Sequence, residues 1–334
     1  MRKYSPGHIF IWVVYPMASI VGISFALFTC NSQKSHDNNP PQAMADTTVV
    51  PHRGFIIPLV PVTLDTPGQR ADYLAAHYWD NFAFNDTTYI HLPGITEQAL
   101  VDFLDILPHA DKSQACFSIA AMLDKAAKED PTAKMYAYFL TQLRSYLYDP
   151  NSPMRNDEFY IPVVEYILKD SVSGQADKQR AGFDLSVMLK NRMGRAATDI
   201  TYTRADGRSA MLYDLKRNYT ILYFYDPDCQ ACTQTTAHMQ NSPLLEGMLK
   251  AGILDILALY TGNDVNLWKN HREKIPELWI NAYDRNFIIK DKLLYDLKAM
   301  PTLYLLDKDK KVLFKDVNVE SIEQWLGKEL RPGN

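Results

Sequence analysis

Tyr219-Thr220-Ile221-Leu222-Tyr223-Phe224-Tyr225, followed at once by Asp226-Pro227-Asp228-Cys229-Gln230-Ala231-Cys232, is the stretch from which the rest of the chain can be read. Its first seven residues are an almost unbroken apolar run of strand length, as a strand covered on both faces requires. A helical pattern follows the second cysteine and runs through Lys250, so both thiols sit where a strand ends and a helix begins. Residues three apart on a helix share a face, with Cβ atoms about 5 to 6 Å apart, which is close enough for a disulfide with little backbone adjustment. Unpaired N–H groups and the helix dipole favour an anion at that end, which makes Cys229 the expected nucleophile. Cys232, one turn further in and more buried, would then resolve the mixed disulfide. Taken alone, the C-x-x-C fits half a zinc site or a static disulfide equally well. Zinc needs two more ligands, and the sequence holds no second C-x-x-C and no H-x-x-x-H, so neither a metal nor a cofactor is expected.

Context outside the motif narrows the choice. From about Asp199 short apolar runs of strand length alternate with helical patterns, the signature of a βαβ architecture. About 70 residues after the cysteine pair comes Leu297-Lys298-Ala299-Met300-Pro301-Thr302-Leu303-Tyr304-Leu305-Leu306-Asp307, then Lys311-Val312-Leu313-Phe314, two strands with a turn between them. Pro301 opens the first of these, where a missing N–H is tolerated.

With these residues in view, positions 199 to about 330 resemble a thioredoxin-fold domain of the membrane-tethered, extracytoplasmic thiol-disulfide oxidoreductase kind. Cys229 and Cys232 match the redox pair of such domains, and Pro301 matches their cis-proline. The resemblance implies that Met300 offers backbone groups to an extended substrate segment by β-augmentation. Ala197 to Tyr202 and Leu212 to Lys216 resemble the strand and loop that open these domains. Several positions depart from the pattern: Asp228 replaces the usual Trp, Gln230-Ala231 the usual Gly-Pro or Pro-Pro, and Thr235 an acidic residue. No proton acceptor for Cys232 is therefore identified. Asp226 and Asp228 are the nearest carboxylates, and on a strand-end loop they serve equally as turn formers. A carboxylate beside Cys229 opposes the helix dipole and leans the pair toward a reductant.

Residues 67–195 have a different texture. Leu100, Phe103, Leu104 and Leu107 fall at i, i+3, i+4 and i+7, and Tyr136, Phe139, Leu140, Leu143 and Leu147 repeat similar spacing. Thr66-Pro67 supplies an N-cap and N1 pair, and Pro108, Asp130-Pro131, Asp149-Pro150, Pro153 and Ser173-Gly174 mark junctions. Five or six helices forming one all-α domain are expected. Tyr73 to Phe82 resembles the opening of a helical domain of unknown function that precedes a thioredoxin-like domain in Gram-negative envelope lipoproteins. Its aromatics are expected in the core. Cys116 is expected to be a buried small hydrophobe.

The amino terminus addresses location. Ile9 to Thr29 carries no charge, follows Arg2 and Lys3, and ends at Leu27-Phe28-Thr29-Cys30, which resembles a lipoprotein box with Cys30 as the lipidated residue. An uncleaved membrane anchor is the other reading of residues 1–30. Residues 31–66 form a polar tether and an extended lead-in, 67–195 the helical domain, and 196–330 the thioredoxin-like domain. Either reading of the terminus places the chain on the periplasmic side of the cell envelope, where disulfides persist.

The chain has 334 residues with 35 Lys plus Arg against 39 Asp plus Glu, and this net charge of −4 provides no basic excess to hold nucleic acid. The expected function is thiol-disulfide exchange on envelope proteins, recharged by an electron donor the sequence does not name. A peroxidase would want Thr where Asp226 stands. A non-catalytic lipoprotein, with the thioredoxin fold as scaffold and the helical domain binding a partner, is the alternative.

Overall fold

Thr66 sets the start of the helical region in the computed structural model, which describes residues 55–330. Its hydroxyl accepts from the Gln69 N–H at 3.2 Å, and the Gln69 side chain accepts from the Thr66 N–H, a reciprocal cap that opens α1 (Pro67–His77). Helices α2 (Thr96–Ile106), α3 (Lys112–Glu129), α4 (Lys134–Leu147), α5 (Asp157–Lys169) and α6 (Gln175–Met188) follow. Asp111 and Asn156 cap α3 and α5 with their side-chain oxygens. The apolar stripes face one another: Leu100, Phe103, Leu107, Phe139, Leu143 and Leu147 are fully buried. Trp79 lies at their centre, edge-on to Phe82 (5.2 Å), Phe103 (5.5 Å) and Phe139 (5.3 Å). Such aromatic pairs add to the burial energy and fix a single packing.

Cys116 departs from expectation. It is half-buried rather than enclosed, because the buried face of α3 runs through Ala115, Ile119, Met122, Leu123 and Ala126, and Cys116 lies one position off that stripe.

The second half of the chain builds a sheet of seven strands: β1 (Thr201–Arg204), β2 (Ser209–Met211), β3 (Tyr219–Tyr225), β4 (Leu254–Tyr260), β5 (Ile280–Tyr283), β6 (Thr302–Asp307) and β7 (Val312–Lys315). Their spatial order is β2-β1-β5-β4-β3-β6-β7. Strand β3 is central, parallel to β4 and antiparallel to β6, with Phe224 opposite Thr302. Helices α7 (Gln230–Gln240), α8 (Pro243–Lys250), α9 (Val265–His271), α10 (Ile288–Asp291) and α11 (Val319–Glu329) complete it. One face packs Ile221, Tyr223, Ile256 and Leu305 against Leu245, Trp268, Trp279 and Ile322. The other packs Leu222, Phe224, Leu257 and Tyr304 against Ile200, Leu212 and Tyr295. Both faces of β3 are thus covered, which its unbroken apolar run demands.

The helix expected from the second cysteine to Lys250 is in fact two. Asn241 ends α7, the Ser242 hydroxyl accepts from the Leu245 N–H, and Pro243 occupies the first turn of α8, where its missing N–H costs no hydrogen bond.

Helices and sheet are joined along a polar seam. The Gly194 and Ala197 N–H groups bond to the Val312 and Lys310 carbonyls, extending the sheet past β7. Lys190 Nζ reaches the Leu293 carbonyl at 2.7 Å, and Asn191 Nδ2 the Leu294 carbonyl at 2.8 Å. The described residues belong to one compact unit. Among them no helix is long and apolar enough to cross a membrane. Cys30 and the apolar run before it lie outside the described residues.

Candidate functional site

Asp226 follows the C-terminal end of β3, and the turn after it is set by that residue: its carboxylate accepts from the Asp228 N–H at 3.1 Å. Cys229 then stands at the N-cap of α7, and its sulfur accepts from the Cys232 N–H at 3.1 Å. This is the place where a helix end offers a donor to a thiolate. The loop before β6 comes back to the same point. Its Met300–Pro301 peptide bond is cis, and the Met300 carbonyl lies 3.4 Å from Cys229 Sγ, which donates to it. Cys229, Cys232, Met300 and Pro301 therefore converge, although 71 residues separate Cys229 from Met300.

The two thiols differ in surroundings. Cys229 is partly exposed, whereas Cys232 is only 2% exposed, and both are free. Burial, reinforced by the neighbouring Cys229, pushes the Cys232 thiol up to about 12, although the Asp226 N–H donates to its sulfur at 3.5 Å and works the other way. Cys232 is therefore protonated at neutral pH and needs its proton removed before it can attack.

Residues the sequence did not single out hold this geometry. The Tyr223 hydroxyl donates to the Cys232 carbonyl at 2.8 Å and pairs with Thr236 Oγ1 at 3.0 Å, pinning the first turn of α7 to β3. Burial raises Tyr223 well above the ordinary phenol range, so it stays a neutral donor. An aromatic run in a buried strand is ordinary core, so only the structure reveals that hydroxyl's use.

The loop carrying Met300 is fastened to the helical region. Lys298 Nζ pairs with Asp296 at 2.6 Å and with Asp157 at 3.7 Å, and Lys315 Nζ pairs with Asp157 at 2.7 Å. Arg155 pairs with Asp316 beside them. Lys298 also sits 3.5 Å above the Tyr148 ring, a cation–π contact. Burial draws Lys298 below the usual lysine value, although Asp157 and Asp296 oppose this. Asp157 opens α5, where the helix dipole favours a carboxylate. The cluster matches three cations with three carboxylates across the seam. No spacing rule announces it, since its members span residues 155 to 316.

His238 lies on α7 between two carboxylates of α11, with Nδ1 3.2 Å from Glu320 and Nε2 2.9 Å from Glu323. Trp268 and Trp279 are buried against the sheet. Among the described residues no group of three or more His, Cys, Asp or Glu side chains is placed to hold a metal ion.

A solved structure described as a thioredoxin-like protein from Bacteroides caccae superposes with a TM-score of 0.79 and 43% identity, covering 83% of this chain and 99% of that one. This chain belongs to the thioredoxin-like proteins. The thioredoxin-like chain thus joins an N-terminal helical region to a C-terminal α/β thioredoxin fold. The family model "Domain of unknown function (DUF5106)" matches residues 29–191, a stretch that contains all of α1 to α6. The thiol-disulfide oxidoreductase ResA of Bacillus cereus is 26% identical over 144 residues, 41% of this chain and 77% of that protein. The C-terminal domain of an uncharacterised protein from Bacteroides fragilis is 41% identical over 42% of this chain and 99% of its own, with a TM-score of 0.41.

Proposed function

We propose that the chain is an extracytoplasmic thiol-disulfide oxidoreductase, tethered to the membrane through Cys30, that reduces or exchanges disulfides of envelope proteins. The carrying observation is the position of Cys229 Sγ, which accepts a helix N–H on one side and meets the Met300 carbonyl at 3.4 Å on the other. The oxidoreductase named among its relatives supports the same chemistry.

The Cys229 thiolate attacks one sulfur of a substrate disulfide, so an S–S bond forms between enzyme and substrate while the second substrate sulfur leaves as a thiolate and takes up a proton. Cys232 then loses its proton and attacks Cys229 Sγ. That closes the Cys229–Cys232 disulfide and releases the first substrate sulfur as a thiol. Two electrons and two protons pass to the substrate. A dithiol donor of the envelope restores the pair by the reverse exchange.

Met300 offers backbone groups to an extended segment beside the reacting sulfur, and Pro301 shapes that loop. The apolar run ending at Cys30 supports the location.

Replacing Cys232 with Ser tests the reading. The variant should accumulate mixed disulfides through Cys229, visible as thiol-sensitive adducts on non-reducing gels. A level no higher than that of the Cys229→Ser, Cys232→Ser double variant would leave the fold as a scaffold.

A further inference from the structure

A cleft of about 590 Å³ opens beside the cysteine pair, and the helical region supplies one of its walls. On one side stand Ala231, Thr235 and Pro301. On the other stand Pro150, Pro153 and Arg155 of the segment between α4 and α5. Ala231 lies between the two cysteines, and Pro301 follows the residue whose carbonyl faces Cys229, so the cleft adjoins residues that flank the Cys229 sulfur.

The outer wall is held in place. Ser152 Oγ donates to the Tyr146 carbonyl at 2.5 Å, the Asn156 N–H donates to the Leu147 carbonyl at 2.9 Å, and Arg155 pairs with Asp316 across the floor. A wall fixed beforehand selects by shape without paying to be ordered on binding. The volume lies within the range of pockets that enclose small ligands or short segments. An extended chain, rising about 3.3 to 3.6 Å per residue, can lie along it.

Resting on the redox reading above, we infer that this cleft takes an extended polypeptide segment bearing a disulfide, and that the helical region thereby selects the substrate by shape. The segment runs past Ala299 and Pro301 on one side and is bounded by Pro150 and Pro153 on the other.

The test uses the reduced full-length chain and two probes, a short peptide disulfide and hydroxyethyl disulfide. Pro153→Trp should slow single-turnover oxidation of the pair by the peptide about tenfold more than it slows oxidation by hydroxyethyl disulfide. Gln234→Trp, which fills the cleft from α7, should show the same bias. Equal slowing of both probes, or none, would overturn the inference while leaving the redox reading intact. Failure of every disulfide to oxidise the pair would remove both.

Discussion

The helical and sheet regions bury their apolar residues equally well but use their chain reversals differently. In the helical region the reversals close on themselves: Asp111, Asp130, Asn156 and Asp170 each spend a side chain on nearby backbone N–H groups. In the sheet region two reversals meet, and the loop after β3 brings its cysteine against the loop before β6. Closed reversals terminate helices, while converging ones place reactive atoms. The Asp149–Asn156 segment is the exception in the helical region, because its Arg155 and the adjoining Asp157 reach the sheet. That exception is where the helical region touches the chemistry.

Four substitutions can break or sharpen this contrast. The largest effect belongs to Cys229→Ser, which should abolish disulfide reduction while leaving the melting temperature near that of the parent; retained turnover would move the chemistry elsewhere. Next is Trp79→Ala in the helical core, expected to cost about 3–5 kcal/mol. If the two regions are one cooperative unit, loss of far-ultraviolet helical circular dichroism and alkylation of Cys232 should report the same denaturant midpoint in this variant. Separate midpoints would show that the seam is weaker than either core.

Asp157→Asn leaves Lys315 and, in part, Lys298 without a carboxylate in a buried setting, and should cost about 3 kcal/mol. It should also slow oxidation of the pair by disulfides, because the Met300 loop loses its fastening; unchanged kinetics would confine the cluster to stability. The smallest effect is expected at Glu158. Burial works against its charge, but hydrogen bonds from Arg192 and Lys112 hold it down at about 2. A carboxylate lowered on folding contributes stability above its ordinary value near 4.5 and loses it as pH falls toward 2. Glu158→Gln should therefore cost about 2 kcal/mol at pH 7 and flatten the acid limb of the stability curve. An unchanged acid limb would discount the Arg192 and Lys112 contacts.

The cores were legible because periodicity reports burial: the 3.6-residue stripe of Leu100 to Leu107 and the unbroken run of β3 both describe which faces meet protein. The juxtaposition of Cys229 and Cys232 was legible because their spacing is local, and that of Met300 and Pro301 with them because the resemblance supplied it. Cys116 was misplaced because a residue one position off a helical stripe differs little in pattern from one on it. The break at Ser242-Pro243 carried its signal in plain view, a serine cap before a proline. The Arg155, Asp157, Asp296, Lys298, Lys315 and Asp316 cluster had no local signal at all, since charges that meet only after folding look like solvated surface in the sequence.

The central claim is that Cys229 and Cys232 form a reversible redox couple. Its most direct test is alkylation of both thiols in the full-length chain across a series of glutathione or dithiothreitol buffers. A single two-electron transition is expected nearer the thioredoxin potential of about −270 mV than the strongly oxidising value of about −120 mV. The absence of any reversible transition would contradict the account.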